Sequence, residues 1–193
     1  YTVKFMEKLG VPADDAAIVG DILIEADLRG VSSHGLIRLS TYYGSRLKKG
    51  YMNPETPTKI INETDTTISF DGVNGLGQVN GYRAMAACVE KAEKSNMAIT
   101  TVNHSNHYGI AAYYAMMALE HDMIGISMTN SQPLQAPTYG STAVLGTNPI
   151  SVAVHSYKKY PYVLDMATSV VPIGKVKEFE KRGEKIPMGW GLD

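Results

Sequence analysis

Val102-Asn103-His104-Ser105-Asn106-His107-Tyr108-Gly109-Ile110-Ala111-Ala112-Tyr113-Tyr114 is the stretch on which the reading of this chain turns. Residues 98–102 before it form a short, β-prone apolar run, and residues 110–120 after it repeat apolar side chains at helical spacing. The polar cluster therefore falls where a strand's carboxyl end passes into a helix, the edge at which open α/β sheets bind ligands. Two histidines in a turn are ordinarily a satisfied loop. Here Gly109 lets the backbone take a positive φ or approach a ligand, and Ser105 and Asn106 are placed to fix an imidazole tautomer. An imidazole, with an unperturbed pKa of about 6.5, suits proton transfer to a hydroxyl or carbonyl oxygen near neutral pH.

Working outward toward the C-terminus, residues 123–129, 150–154 and 162–165 read as strands, and residues 172–182 as a helix with a solvated charged face. Short polar groups follow or precede those strands: Asn130 and Ser131, Thr147 and Asn148, Asp165 and Thr168. Each alone is a turn; together with His107 they are expected to line one cleft. Toward the N-terminus, Pro12 opens an amphipathic helix that Gly30 ends, and residues 36–49 form a second amphipathic stretch closed by lysines and Gly50. Between them lies Ser32-Ser33-His34-Gly35, with Arg38 four residues after His34 on the same helix face. Two readings stand: a serine N-cap with a surface histidine and a solvated arginine, or an anion-binding corner for an acid. Residues 59–62 and 66–70 flank Glu63-Thr64-Asp65 as a hairpin. In Gly75-Leu76-Gly77-Gln78-Val79-Asn80 the third glycine of a dinucleotide fingerprint is replaced by Asn80, so we read a tight turn into a helix over 79–94, not a Rossmann motif.

Composition narrows the field. The chain has 193 residues, 44% apolar and 19% charged, enough for a substantial core. Eighteen Lys and Arg against nineteen Asp and Glu leave a net charge of −1, which argues against nucleic-acid and membrane-surface partners. Cys88, the single cysteine, excludes an intrachain disulfide and agrees with a reducing, cytoplasmic setting. No metal site is expected, since His104 and His107 lack a third ligand at suitable spacing.

Asp27-Leu28-Arg29-Gly30-Val31-Ser32-Ser33-His34-Gly35, Asn106-His107-Tyr108-Gly109, Gly146-Thr147-Asn148-Pro149 and Asp165-Met166-Ala167-Thr168-Ser169 with Gly174-Lys175 together resemble the type-2 malate/L-lactate dehydrogenase family, in order along nearly the whole chain. The resemblance implies an α/β, mixed-sheet, non-Rossmann nicotinamide-binding fold of the sulfolactate dehydrogenase-like type. Residues 1–50 are expected as a helical segment contributing to the substrate site, and 51–193 as the cofactor-binding region, incomplete at its C-terminus. It implies hydride transfer between NAD or NADP and the C2 of a 2-hydroxy or 2-keto acid, with malate and oxaloacetate foremost, in a homodimer. The alternatives are reduction of a cyclic imino acid or another keto acid on the same scaffold, or a non-catalytic small-molecule-binding domain. By the same resemblance His107 is the catalytic histidine, with Asp165 orienting it and raising its pKa. Ser33, His34, Arg38 and Ser131 fall on the substrate side; Thr147, Asn148, Asp165, Met166, Ala167 and Lys175 fall on the cofactor side. Family chains continue beyond the segment at Gly189 to Asp193, so this chain is expected to be the N-terminal portion of a longer enzyme.

Overall fold

The computed structural model describes residues 1–191, with Gly174, Lys177 and Glu178 described by their backbone alone; Leu192 and Asp193, the end of the Gly189-to-Asp193 segment, lie outside the described residues. The chain opens with helices α1 (Thr2–Glu7) and α2 (Ala13–Leu28), a 3-10 turn (Ser32–His34), and a π-helical segment (Leu39–Gly44) that runs into α3 (Ser45–Lys48). Strands β1 (Lys59–Glu63) and β2 (Thr67–Asp71), helix α4 (Gly77–Ser95) and strand β3 (Ile99–Asn103) follow. Helix α5 (Ala111–Met117) continues as a 3-10 turn (Ala118–His121), and β4 (Gly125–Met128), β5 (Ile150–Val154), β6 (Tyr162–Met166) and α6 (Ile173–Arg182) complete the order.

The hairpin forms: β1 and β2 pair antiparallel, with an irregularity between Ile60 and Asn62. At its turn the Thr67 N–H donates to the Thr64 hydroxyl at 3.1 Å, the local side-chain bond that makes threonine a turn residue. Strand β3 then joins β2 in parallel after the α4 crossover, which makes the first sheet mixed, in the order β1-β2-β3. The second sheet, β4-β5-β6, is antiparallel throughout. This α/β arrangement has no doubly wound parallel sheet among the described residues, in line with the reading of Gly75 to Asn80 as a turn.

That turn does a packing task. A side chain at Gly77 would place its Cβ 2.1 Å from the Asn106 carbonyl oxygen and 2.4 Å from that of His107, so only glycine lets the start of α4 lie against the histidine loop. Asn80, standing where a fingerprint glycine belongs, is fully buried and donates to the Gly72 carbonyl at 3.1 Å while accepting from the Thr58 hydroxyl at 2.7 Å. The main core joins the N-terminal helices to α4: Met6, Val19, Leu23, Tyr43 and Met52 pack with Leu76 and Val79. Asp15 and Arg83 pair across α2 and α4 at 2.6 Å, where burial pushes the Asp15 carboxyl up and the guanidinium opposes it.

Candidate active site

The loop after β3 is pinned before it reaches His107. His104 leaves the strand at φ 45° and turns outward, its Nδ1 3.2 Å from Asp71 and its side chain 70% exposed. Asn106 then donates to Asn74 Oδ1 at 3.0 Å and to the Gly75 carbonyl at 2.9 Å, which fastens the loop to the α4 turn. Gly109 takes φ 89°, and α5 begins two residues later. His107 is thus directed inward and His104 to the surface, from the same loop.

Around His107 the N-terminal segment supplies a ring of aromatic and cationic groups. The His34 and His107 rings stack at 5.4 Å, Tyr42 sits 5.4 Å away at a tilt, and the Tyr43 hydroxyl is 2.6 Å from His107 Nδ1. The Arg38 and Arg46 guanidinium carbons stand 5.8 and 4.8 Å from the centre of the Tyr42 ring. Burial, then the Arg38 charge, then His34 hold the His107 pKa down to about 3. Burial and Arg38 hold His34 down to about 4. Both rings are therefore neutral at neutral pH, in a corner whose fixed positive charge is a guanidinium.

Two expectations are corrected here. Ser32 and Ser33 make no N-cap bond: the Ser33 hydroxyl pairs with His34 Nδ1 at 2.9 Å, and the Ser33 carbonyl accepts from Arg38 Nε at 2.7 Å. The turn is a single 3-10 unit, too short to present a helix terminus, and its Ser33 carbonyl orients the Arg38 guanidinium. No hydrogen bond among the described residues joins Asp165 to His107. The Asp165 carboxylate accepts from the Ala112 N–H at 2.8 Å, at the first turn of α5, and burial raises its own pKa. The expected carboxylate-raised imidazole is instead a tyrosine-bound one with a lowered pKa.

The polar loop residues collect into a second cluster. Ser131 Oγ meets Thr147 Oγ1 at 3.0 Å and accepts from the Thr147 N–H at 2.8 Å, while Asn148 Oδ1 accepts from the Ser131 N–H at 3.0 Å. Thr168 closes the group by donating from both its N–H and its hydroxyl to the Thr147 carbonyl. The expected single cleft is thus two groups, joined through α5: Asp165 binds its amide end, and Tyr108, next to His107, meets Ser127 of β4 at 3.2 Å. No hydrogen bond among the described residues joins the Ser131 group to His107 directly. Met166 is half exposed beside Ala167, and the Lys175 ammonium lies 5.5 Å from the Trp190 ring centre. Tyr42 and Tyr43 carry no local sequence signal of this placement. A tyrosine pair on an amphipathic stretch reads as core, and only the π turn, which has no clear sequence signature, aims both at the histidine.

A family description, malate/L-lactate dehydrogenase, matches residues 1–193. The chain is 52% identical over its full length to the malate dehydrogenase of Pyrococcus abyssi, covering 53% of that protein. It is 41% identical to the L-sulfolactate dehydrogenase of Methanocaldococcus jannaschii, over 99% of this chain and 55% of that one. The structure of malate dehydrogenase from Pyrococcus horikoshii OT3 superposes with a TM-score of 0.87 at 52% identity, over 91% of this chain and 50% of that one. The chain thus spans about half the length of the curated relatives it matches. With the family match covering residues 1–193 and a relative 52% identical over the full length, this chain belongs to the malate/L-lactate dehydrogenase family.

Proposed function

We propose that the protein is an NAD(P)-dependent dehydrogenase of a 2-hydroxy acid, malate foremost, acting in the cytoplasm as a homodimer. One observation carries this reading: His107, a neutral imidazole bound at Nδ1, shares a partly buried corner with the Arg38 guanidinium. Arg38 keeps its two terminal nitrogens for a carboxylate, because its Nε is spent on the Ser33 carbonyl. Ser33 and His34 hold that arginine and the neighbouring ring in place, and Ser131 offers a hydroxyl on the substrate side. With the carboxylate so held, the C2 oxygen meets Nε2 of His107, which takes the hydroxyl proton in oxidation and returns it in reduction. Bound carboxylate also offsets the Arg38 charge that depresses the imidazole, so His107 gains basicity when substrate arrives.

The nicotinamide cofactor, when bound, supplies the hydride acceptor or donor. The donor set fits such a group: Thr147 and Asn148 present polar atoms beside Ser131, and Lys175 with Trp190 offers an ammonium against an aromatic ring. Asp165 is assigned to holding the start of α5, and Met166 and Ala167 to backbone and apolar contacts along β6. The relatives' names, malate and sulfolactate dehydrogenase, support an acid with a second anionic group. A panel of 2-keto acids offered to the full-length protein with NADH and with NADPH tests the proposal: oxaloacetate should be reduced fastest. Failure to oxidise either cofactor with any keto acid would remove the function.

A further inference from the structure

Arg46 is the charged group of the His107 corner that the proposed reaction leaves unused. Outside that corner each arginine of the chain holds a carboxylate: Arg29 meets Glu25 at 2.7 Å, Arg83 meets Asp15 at 2.6 Å and Arg182 meets Glu184 at 3.2 Å. Arg38 and Arg46 are the exceptions. Neither pairs with a carboxylate among the described residues, although both are half-buried. Both guanidiniums also lie against one ring, that of Tyr42, at 5.8 and 4.8 Å from its centre. An arginine over a tyrosine four positions earlier is an ordinary helix-surface pair. Two guanidiniums on one ring with no counter-ion are not, because like charges gathered in a partly buried corner repel.

The distances say what kind of anion would relieve them. The two guanidinium carbons cannot stand farther apart than their distances to the Tyr42 ring centre laid end to end. A four-carbon diacid gripped at both ends by guanidinium forks spans about 12 Å, with about 4 Å between its carboxyl carbons and about 4 Å more at each end. Both arginines are therefore within the span of one such molecule. The Tyr42 ring they share stands 5.4 Å from the His107 ring, which places that molecule beside the imidazole. Of the two charges, that of Arg38 holds the His107 pKa down and that of Arg46 does not. Arg38 thus belongs to the end that carries the reacting carbon, and Arg46 to the far end.

We propose that Arg46 is the specificity-determining residue for the far end of the substrate: it holds the second carboxylate of a four-carbon 2-hydroxy or 2-keto diacid whose first carboxylate sits on Arg38. The idea rests on the reading of His107 and Arg38 as the proton-transfer and carboxylate-holding groups. A dianion compensates both guanidiniums at once. A monoacid with the same reacting end compensates Arg38 alone and leaves the Arg46 charge without a partner, so the corner selects diacids by what it leaves unpaired as well as by what it binds. Tyr42 is the platform on which both cations wait.

The test compares oxaloacetate with pyruvate, which has the same keto-acid end and no second carboxylate, in the full-length protein with the cofactor it oxidises. Wild type should favour oxaloacetate in kcat/KM by about tenfold or more. Arg46→Met keeps an unbranched stem over Tyr42 and loses the charge; the oxaloacetate-to-pyruvate ratio should then fall about tenfold or more, with the loss in KM for oxaloacetate and KM for the cofactor little moved. A merely structural arginine would lower both keto acids together and leave the ratio alone. Arg46→Lys keeps the charge without the fork and should fall between the two, and it gives the same reading if the methionine variant fails to fold. A ratio within about twofold of wild type in both variants overturns the proposal. If no keto acid is turned over at all, the functional reading fails instead, and binding decides the role of Arg46: malate should raise Tm in wild type more than lactate does, and that difference should vanish in Arg46→Met. An equal malate shift in wild type and variant would take Arg46 off the ligand.

Discussion

Arg38 shows how much a single side chain is asked to do. Its Nε holds the Ser33 carbonyl, its charge depresses two histidines, and its outer nitrogens are assigned to the substrate carboxylate. Replacing Arg38 with Lys keeps the charge and loses both the fork and the anchor. Steady-state kinetics should show KM for the keto acid raised about tenfold or more and KM for the cofactor little changed; equal effects on both would take Arg38 off the substrate. The histidines also make a prediction about stability. Folding lowers the His34 and His107 pKa values to about 4 and about 3, so the unfolded chain binds more protons below the ordinary value near 6.5. Stability is complete above that value and is lost as pH falls through the window toward 3, with a limiting slope of about 1.4 kcal/mol per pH unit for each ring. Urea melts at stepped pH should show the slope, and His34→Asn should flatten it; a flat wild-type profile would contradict the burial of these rings.

At the scale of elements, the joint that places His107 was legible because strand, glycine and helix each leave a local pattern in residues 98–120. The near-miss glycine motif was legible for the same reason: Asn80 breaks it, and the structure uses Asn80 as a buried polar clamp. What was not legible is long-range. Tyr43 meets His107 across 64 positions, and Asp165 meets Ala112 across 53, so neither partner is written near the residue it serves. The serines after α2 carried the signature of an N-cap, yet a 3-10 turn there gave them other partners. The contact between α4 and the histidine loop is the element-scale claim most open to test. Gly77→Ala would drive a Cβ into two backbone carbonyls that cannot rotate away. It should cost about 3 kcal/mol, the upper part of the usual overpacking range, and lower kcat by displacing His107. A variant that unfolds like wild type would mean the loop yields where the packing says it is held.

For the whole molecule, the second sheet has one face against α5 and one face open. Gly125, Ser127, Ser151 and Ala153 are buried on the packed face, and Gly125 admits no side chain because its Cβ would lie 1.9 Å from the Ala115 carbonyl oxygen. The other face carries Ile126, Met128, Ile150, Tyr162 and Met166, and Ile126, Met128 and Tyr162 are each more than half exposed. Met128, Ile150 and Met166 stand in register across the three strands, so the patch is continuous. Residues 1–193 expressed by themselves should therefore bind a hydrophobic dye and self-associate, read by fluorescence and light scattering. A monomeric, dye-silent product that unfolds cooperatively would show that this face needs no cover.

In the proposed reaction one of the two histidines in the loop after β3, His107, moves the proton, and His104 does not. His107→Gln in the full-length protein should lower kcat for keto-acid reduction by about 10²–10⁴, with cofactor affinity near wild type, because the general acid and base is gone and the binding groups remain. His104→Gln, at a site paired with Asp71 on the surface, should leave kcat within about twofold. An essential His104 beside a dispensable His107 would contradict the account.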